Sequence, residues 1–321
     1  MKAALPQGVQ EVFERFITCE YATIGPRQQP IVWPVTPYCP RGAATIDVTT
    51  GLGYPKKADD ARRNPHVALL FSDPTGSGIE SGIRVLVQGT AEVDDRDLHA
   101  NRERYRRESW EKLPGARKMH PPRLVRGLFD WYYTRIYVHV RPERVFVWPH
   151  GDLARPPELL DARVEEVRSG HSEAPLEPHE PAAGGRVAWE SRIEELGRRY
   201  ETAVLAWVAP DGFPLAARLP VSLDSAARRI SFRGVPSGLP LTTGRACVTA
   251  HSHGPGFGWH ENFQVRGDLV RTNGGWALIP RKLIGGFELP SESVLARYRR
   301  NLRKSIRFYR TARRRLKSGS S

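Results

Sequence analysis

Residues Thr49 to Val93 read TTGLGYPKKADDARRNPHVALLFSDPTGSGIESGIRVLVQGTAEV. Two lysines, Lys56 and Lys57, stand on a turn ahead of a short polar helix pattern, Ala58 to Arg63. Asn64-Pro65 stops that helix, because the residue before a proline is pushed out of the α region. His66 to Phe71 is an apolar run of strand length, Ser72 to Gly82 a turn-rich loop, and Arg84 to Val93 a second strand. Gly89 interrupts the second strand and points to a bulge or a close backbone approach.

Working outward, the preceding residues are mostly β in texture. Gln10 to Phe16 reads as a short amphipathic helix; Cys19 to Ile24, Ile31 to Val35 and Ala44 to Thr50 read as strands. On the other side, Asp94 to Leu113 is polar and helical in period, with Leu98, Tyr105 and Trp110 as its apolar anchors, and Arg123 to Tyr132 can form a second helix. Strands Arg135 to Val140 and Arg144 to Trp148, with Arg141-Pro142-Glu143 turning the chain between them, close a first unit over 1–150 that carries a helical insertion at 94–133. From 151 to 187 the chain becomes rich in Pro, Ala, Gly and Glu without periodicity, as a linker does.

A second unit, 188–290, follows the order of the first. Ile193 to Arg199 stands where the opening helix was, and strands follow at Ala203 to Val208, Leu215 to Val221, Arg229 to Arg233, Ala246 to Ala250 and Phe263 to Val270. Gly267 falls where Gly89 did, and an ordered recurrence of this size implies two copies of one fold. Residues 291–321 are a helix candidate and a basic tail, with Val294, Leu295, Tyr298, Leu302, Ile306 and Tyr309 at helical spacing. From Arg297 onward there are eleven Lys or Arg and no acid.

The chain of 321 residues has a formal charge of +14, which favours anionic partners: phosphorylated cofactors, nucleic acid or a membrane surface. Its N-terminus lacks the apolar core of a signal peptide, no apolar run reaches the ~20 residues of a membrane-spanning helix, and its three cysteines show no CxxC pairing. Together these point to a cytoplasmic protein with reduced thiols. His251, His253, His260 and Glu261 form a loop cluster that invites a metal reading, but regular zinc spacing is absent and no metal site is assigned. No P-loop, no GxGxxG after a strand and no Ser-His-Asp order supports NTP use or covalent hydrolysis.

The lysine pair, the block Arg62 to Leu69 and the strand ending Val87-Gln88-Gly89 together resemble the FMN-binding split-barrel superfamily, which includes pyridoxamine 5′-phosphate oxidase and the deazaflavin-dependent reductases. The resemblance implies a mainly β fold with flanking helices: two tandem split β-barrels forming an intrachain pseudo-dimer, with the cofactor between them. It implies a cofactor-binding set of Lys56, Lys57, Thr49, Thr50, Val35, Thr36 and Arg84 in the first barrel, with no catalytic side chain assigned. The second copy has Arg233 to Gly238 where the lysine turn belongs, so its phosphate site is degenerate. The implied function is an FMN-dependent oxidoreductase acting on a small organic substrate. The alternatives are an F420-dependent reductase, or a flavin or haem carrier without turnover. The arginine-containing C-terminal signature of the strict oxidase is not evident around Trp276 to Arg281. A homodimer is compatible with this reading; the basic tail lacks the interleaved aromatics of a nucleic-acid groove, its tyrosines falling on the apolar face, and leaves open nucleic acid only through nonspecific phosphate attraction.

Overall fold

The computed structural model of the chain describes residues 5–40, 42–113, 115, 130–161, 187–234, 236–286 and 307–315. Helix α1 (Gln7–Arg15) starts three residues earlier than its apolar pattern and buries Val9, Val12 and Phe13. Six antiparallel strands follow: β1 (Cys19–Gly25), β2 (Gln29–Val35), β3 (Ile46–Gly51), β4 (His66–Phe71), β5 (Arg84–Asp94) and β6 (Arg135–Trp148). They are ordered β2-β1-β4-β5-β6-β3. The second half carries β8 (Thr202–Val208), β9 (Pro214–Asp224), β10 (Arg229–Phe232), β11 (Gly244–His253), β12 (His260–Thr272) and β13 (Gly275–Gly285), in a closed barrel β10-β13-β12-β11-β8-β9. Strand for strand the two orders are the same, so the chain is two tandem β-barrels.

Three expectations change on contact with the structure. Arg141-Pro142-Glu143 does not turn the chain, because β6 runs through it unbroken. Pro142 pairs with Gly89 where the register slips, and a Cβ on Gly89 would lie 2.1 Å from the Arg141 carbonyl oxygen. A bulge tolerates a proline without an N–H, but only if the facing residue has no side chain. The second barrel uses the same device: Gly267 pairs with Pro280, and a Cβ there would lie 2.1 Å from the Ile279 oxygen. The linker expected over 151–187 opens with a strand, β7 (Glu158–Asp161), which adds to β6; residues 162–186 lie outside the described part. The His251 to Glu261 loop is mostly hairpin, since His253 pairs with His260 and only 254–259 turn.

The barrels share one interface. Ala22, Val32, Ala68, Leu70, Leu86 and Trp148 of the first join the core of the second. Gln264 Nε2 and Thr249 Oγ1 of the second barrel both donate to the Val32 carbonyl, at 2.7 and 2.8 Å. At the centre lies Glu20, wholly buried. It accepts from Arg218 Nη2 at 2.7 Å and from Ser72 Oγ at 2.9 Å, and His251 Nε2 lies 2.7 Å away. Burial would raise the Glu20 carboxyl, but Arg218 and His251 hold it below its ordinary range.

Helices decorate the first barrel. Helix α2 (Lys56–Arg63) lies between β3 and β4, helix α3 (Leu98–Lys112) and the single turn α4 (Asp130–Tyr133) between β5 and β6. Asp97 caps α3 by accepting from the Ala100 N–H. Trp110, expected as an apolar anchor of α3, is exposed at 39%. The helix is held instead by polar contacts: Arg104 donates to buried Asp47, and the Tyr137 hydroxyl donates to Glu108 Oε2 at 2.7 Å. In the second half the opening helix is two single turns, α5 (Ser191–Glu194) and α6 (Leu196–Arg199).

Candidate functional site

The first barrel has a seam that the second does not. In the second, β9 and β10 pair from Asp224↔Arg229 to Val221↔Phe232, and the Arg233 N–H donates to the Pro220 carbonyl at 3.1 Å. In the first, among the described residues, the corresponding edges are joined only past the end of β2, at the bridge Tyr38↔Asp47. Pro37 and Pro40 flank Tyr38, and neither has an N–H to extend a ladder. Continuing the bridge's register would set Thr36 against Thr49 and Val35 against Thr50; no backbone hydrogen bond joins them. The seam opens at four of the residues that the resemblance singled out.

Beyond the seam the chain makes a tight turn. The Tyr54 N–H donates to the Gly51 carbonyl at 3.0 Å, and Thr50 Oγ1 donates to the Tyr54 carbonyl at 2.9 Å. Thr50 is therefore buried in turn geometry, while Thr49 and Thr36 are partly exposed. The lysines are not on a turn ahead of the helix, as expected, but are its first two residues, with Pro55 at the N-cap. Their roles differ. Lys56 is exposed and pairs with Asp60 at 2.9 Å. Lys57 points toward the Tyr54 ring, its ammonium 5.7 Å from the centroid, and among the described residues no carboxylate reaches it.

Arg135, which the sequence reading passed over as the first residue of a strand, is the second cation of this site. It pairs with Gly51 across β3 and β6. Its Nη1 donates to the Tyr54 hydroxyl at 2.6 Å and its Nη2 to the Tyr105 hydroxyl at 3.0 Å. The guanidinium lies 4.3 Å from the Tyr105 centroid and 4.7 Å from that of Tyr132. It is buried, its Nε is orphaned, and the buried Tyr38 hydroxyl nearby is orphaned too. Burial first, and Arg135 second, pull the Lys57 ammonium down to about 8. Among the described residues no carboxylate meets either the buried Arg135 guanidinium or the half-buried Lys57 ammonium, an arrangement that is costly and suits an anion. The signal in the sequence was alternation: Ile136, Val138 and Val140 face the core, so Arg135 falls on the outer face with Tyr137 and His139.

Arg84 is elsewhere. It pairs with Trp148, at the opposite end of β6 from Arg135, roughly 40 Å away along an extended strand. Its Nη1 donates to the Arg218 carbonyl at 3.3 Å, in the interface between the barrels. The structure brings together Val35, Thr36, Thr49, Thr50, Lys56 and Lys57 and leaves Arg84 apart. Among the described residues no group of three or more His, Cys, Asp or Glu has metal-binding geometry. His253 Nε2 instead lies 3.0 Å from Thr18 Oγ1.

The second barrel lacks the means to build this site. Matching the two glycine–proline pairs makes Phe232 the counterpart of Val48, and Ala246 that of Val67. Nineteen positions separate Val48 from Val67 but only fourteen separate Phe232 from Ala246, and among the described residues no helix lies between β10 and β11. The connection that carries α3 and α4 in the first barrel is the two-residue turn Asn273-Gly274 in the second. The turn at Arg233 to Gly238 is packed against the first half: the Ser237 N–H donates to the Leu153 carbonyl, and a Cβ on Gly238 would lie 3.1 Å from Pro157.

No family model matches the chain, and no curated protein matches it. Solved structures similar to it include a conserved hypothetical protein from Mycobacterium tuberculosis, 23% identical with a TM-score of 0.35, covering 54% of this chain and 97% of its own. A putative pyridoxamine 5′-phosphate oxidase from Listeria innocua is 16% identical with a TM-score of 0.32, covering 46% of this chain and 99% of its own. A protein described as an F420 reductase is 20% identical with a TM-score of 0.32, covering 44% of this chain and 98% of its own. No helix among the described residues is long and apolar enough to cross a membrane.

Proposed function

We propose that the chain is an oxidoreductase that holds one flavin-type cofactor, FMN or the deazaflavin F420, with its phosphate at Lys57 and Arg135. The observation that carries this reading is the cation pair at the end of an open barrel seam, Arg135 buried and Lys57 half-buried, with no carboxylate on either among the described residues. A phosphate would supply the missing anion, accept from the orphaned Arg135 Nε and meet the first turn of α2. The flat ring would lie along Val35 and Thr36, on a strand whose outer face is already covered by the second barrel through Val32. When bound, the cofactor supplies hydride transfer to a small organic acceptor. This chain's own residues bind and orient it; Tyr54 and Tyr105 hold the Arg135 guanidinium in place.

One cofactor per chain is expected, because the second barrel is hydrogen-bonded shut where the first is split. By this reading 1–150 is the cofactor half and 188–290 its partner half, so that one chain supplies the interface of a dimer. The test is titration of FMN and of F420 into the wild type and into Lys57→Met/Arg135→Met, at fixed salt. Charge-assisted hydrogen bonds to phosphate are each worth roughly 1.5–3 kcal/mol. The double variant is expected to bind about a hundredfold more weakly. Equal affinity in the two proteins would remove the cation pair from the site.

A further inference from the structure

Residues 307–315 form a helix with two unlike faces. One docks on the first barrel. The Phe308 ring lies 5.2 Å from that of Tyr54, Ala312 is fully buried in the first barrel's core, and Arg315 Nη2 donates to Asp59 Oδ1 at 2.6 Å. The other face carries Arg307, Arg310, Arg313 and Arg314, all exposed. Tyr309, expected from its spacing to lie on the docked stripe, is 46% exposed instead and stands one turn before Arg313. The stripe's other members, Val294 to Ile306, fall outside the described residues.

These four arginines differ from three on α3. On α3, Arg102, Arg104 and Arg106 each meet a carboxylate, from Glu103, Asp47 or Glu108. Among the described residues none of the four on 307–315 has such a partner. Arg307 and Arg310, Arg310 and Arg313, and Arg310 and Arg314 are spaced as helical neighbours, where like charges repel. No acid occurs anywhere from Arg297 to the end of the chain to relieve them. A docked helix that keeps such a face presents a fixed array of cations to a polyanion.

We propose that this face binds single-stranded nucleic acid, with the arginines on successive phosphates and Tyr309 stacking on a base. A bilayer is the poorer fit. A helix that lies in a membrane interface inserts its apolar side, and here Phe308 and Ala312 are already committed to the barrel. The surface is independent of the cofactor reading and stands or falls without it.

The experiment measures anisotropy of fluorescein-labelled oligo-dT with the full chain as salt is raised. Neutralising four phosphate contacts on a single strand gives a slope of log K against log salt of about −3. The variant Arg307→Gln/Arg310→Gln/Arg313→Gln/Arg314→Gln is expected to lose about that much of the slope, and at least about tenfold in affinity at low salt. Tyr309→Ala is expected to weaken binding and leave the slope unchanged. The four-lysine variant keeps the charge and is expected to keep the slope, which separates lost charge from a lost helix. The proposal is overturned if the glutamine variant binds like the wild type. It is overturned equally if vesicles of phosphatidylserine and phosphatidylcholine in equal parts compete fully with the oligonucleotide, since the surface would then read a membrane.

Discussion

The two barrels use one strand order and differ in what joins the strands. The second is closed and spare: β9 and β10 pair, and the turn between β12 and β13 is two residues long. The first is split at Thr36 and Thr49 and carries two helical additions, α2 and the α3–α4 connection. Lys57 comes from one addition and Tyr105 from the other; Arg135 stands where the second addition rejoins the sheet. The cation site is thus made almost wholly of what the second barrel lacks. The sheet supplies a frame, and additions at its ends supply chemistry, as expected where function is carried on connections set on a rigid scaffold.

The sharpest way to break the comparison is at the feature that both barrels share. Gly89→Ala and Gly267→Ala each place a Cβ 2.1 Å from a carbonyl oxygen. Each is expected to cost roughly 3 kcal/mol or more in urea unfolding, and by similar amounts. A large loss in one barrel and none in the other would show that the bulge is not the same device in both.

A smaller effect tests what is particular to the first barrel. Lys57 sheds its proton near 8 in the folded chain, against 10.5 ordinarily. Between those values the unfolded chain binds more protons, so stability should rise with pH through that window. Lys57→Met should abolish the rise and stabilise the ligand-free protein below pH 8 by roughly 1–3 kcal/mol. In the wild type, affinity for the phosphate of a cofactor should fall about tenfold per pH unit above about 8, as the ammonium neutralises. Arg233→Met, at the second barrel's counterpart of Thr49, should change neither. Thermal melts from pH 7 to 10 of both variants would show it.

The smallest effect concerns the outer face under α3. His139 Nδ1 lies 2.8 Å from Asp47 Oδ1, and that bond raises the imidazole above its ordinary value despite partial burial. The stability it adds is present below pH 6.5 and is lost as pH rises through the raised folded value. His139→Gln should flatten that slope, with a total effect below about 1 kcal/mol because the pair is partly solvated. The second barrel has Ser231 and Ala277 at the matching positions and should contribute no such slope.

Local pattern was enough for much of this. Alternation and apolar runs announced most strands of both barrels, because a strand's side chains declare its two faces within five or six residues; by pattern alone β6 reads as two strands and β7 as linker. The recurrence of Gly89 as Gly267 was equally visible, and with it the doubling of the fold. The lysine pair could be picked out, since a cation beside a helix start is a local feature.

Other matters had to wait for the folded chain. The bulge that lets β6 run through Pro142 depends on Gly89, more than fifty residues away. The seam depends on what Pro37 and Pro40 fail to donate across to β3. Lys57 and Lys56 are adjacent and chemically identical in sequence; only the fold gives one an aspartate and sets the other, half-buried, over the Tyr54 ring near Arg135. Arg135 looked like the first residue of an alternating strand until Tyr54, Tyr105 and Tyr132 closed around it. Arg84 was local in sequence and distant in space, because a long strand carries its two ends to opposite sides of a barrel. The sequence determined which residues could form strands and where cations lay. Tertiary structure decided which of those cations kept a counter-ion, because neutralisation depends on distance through space.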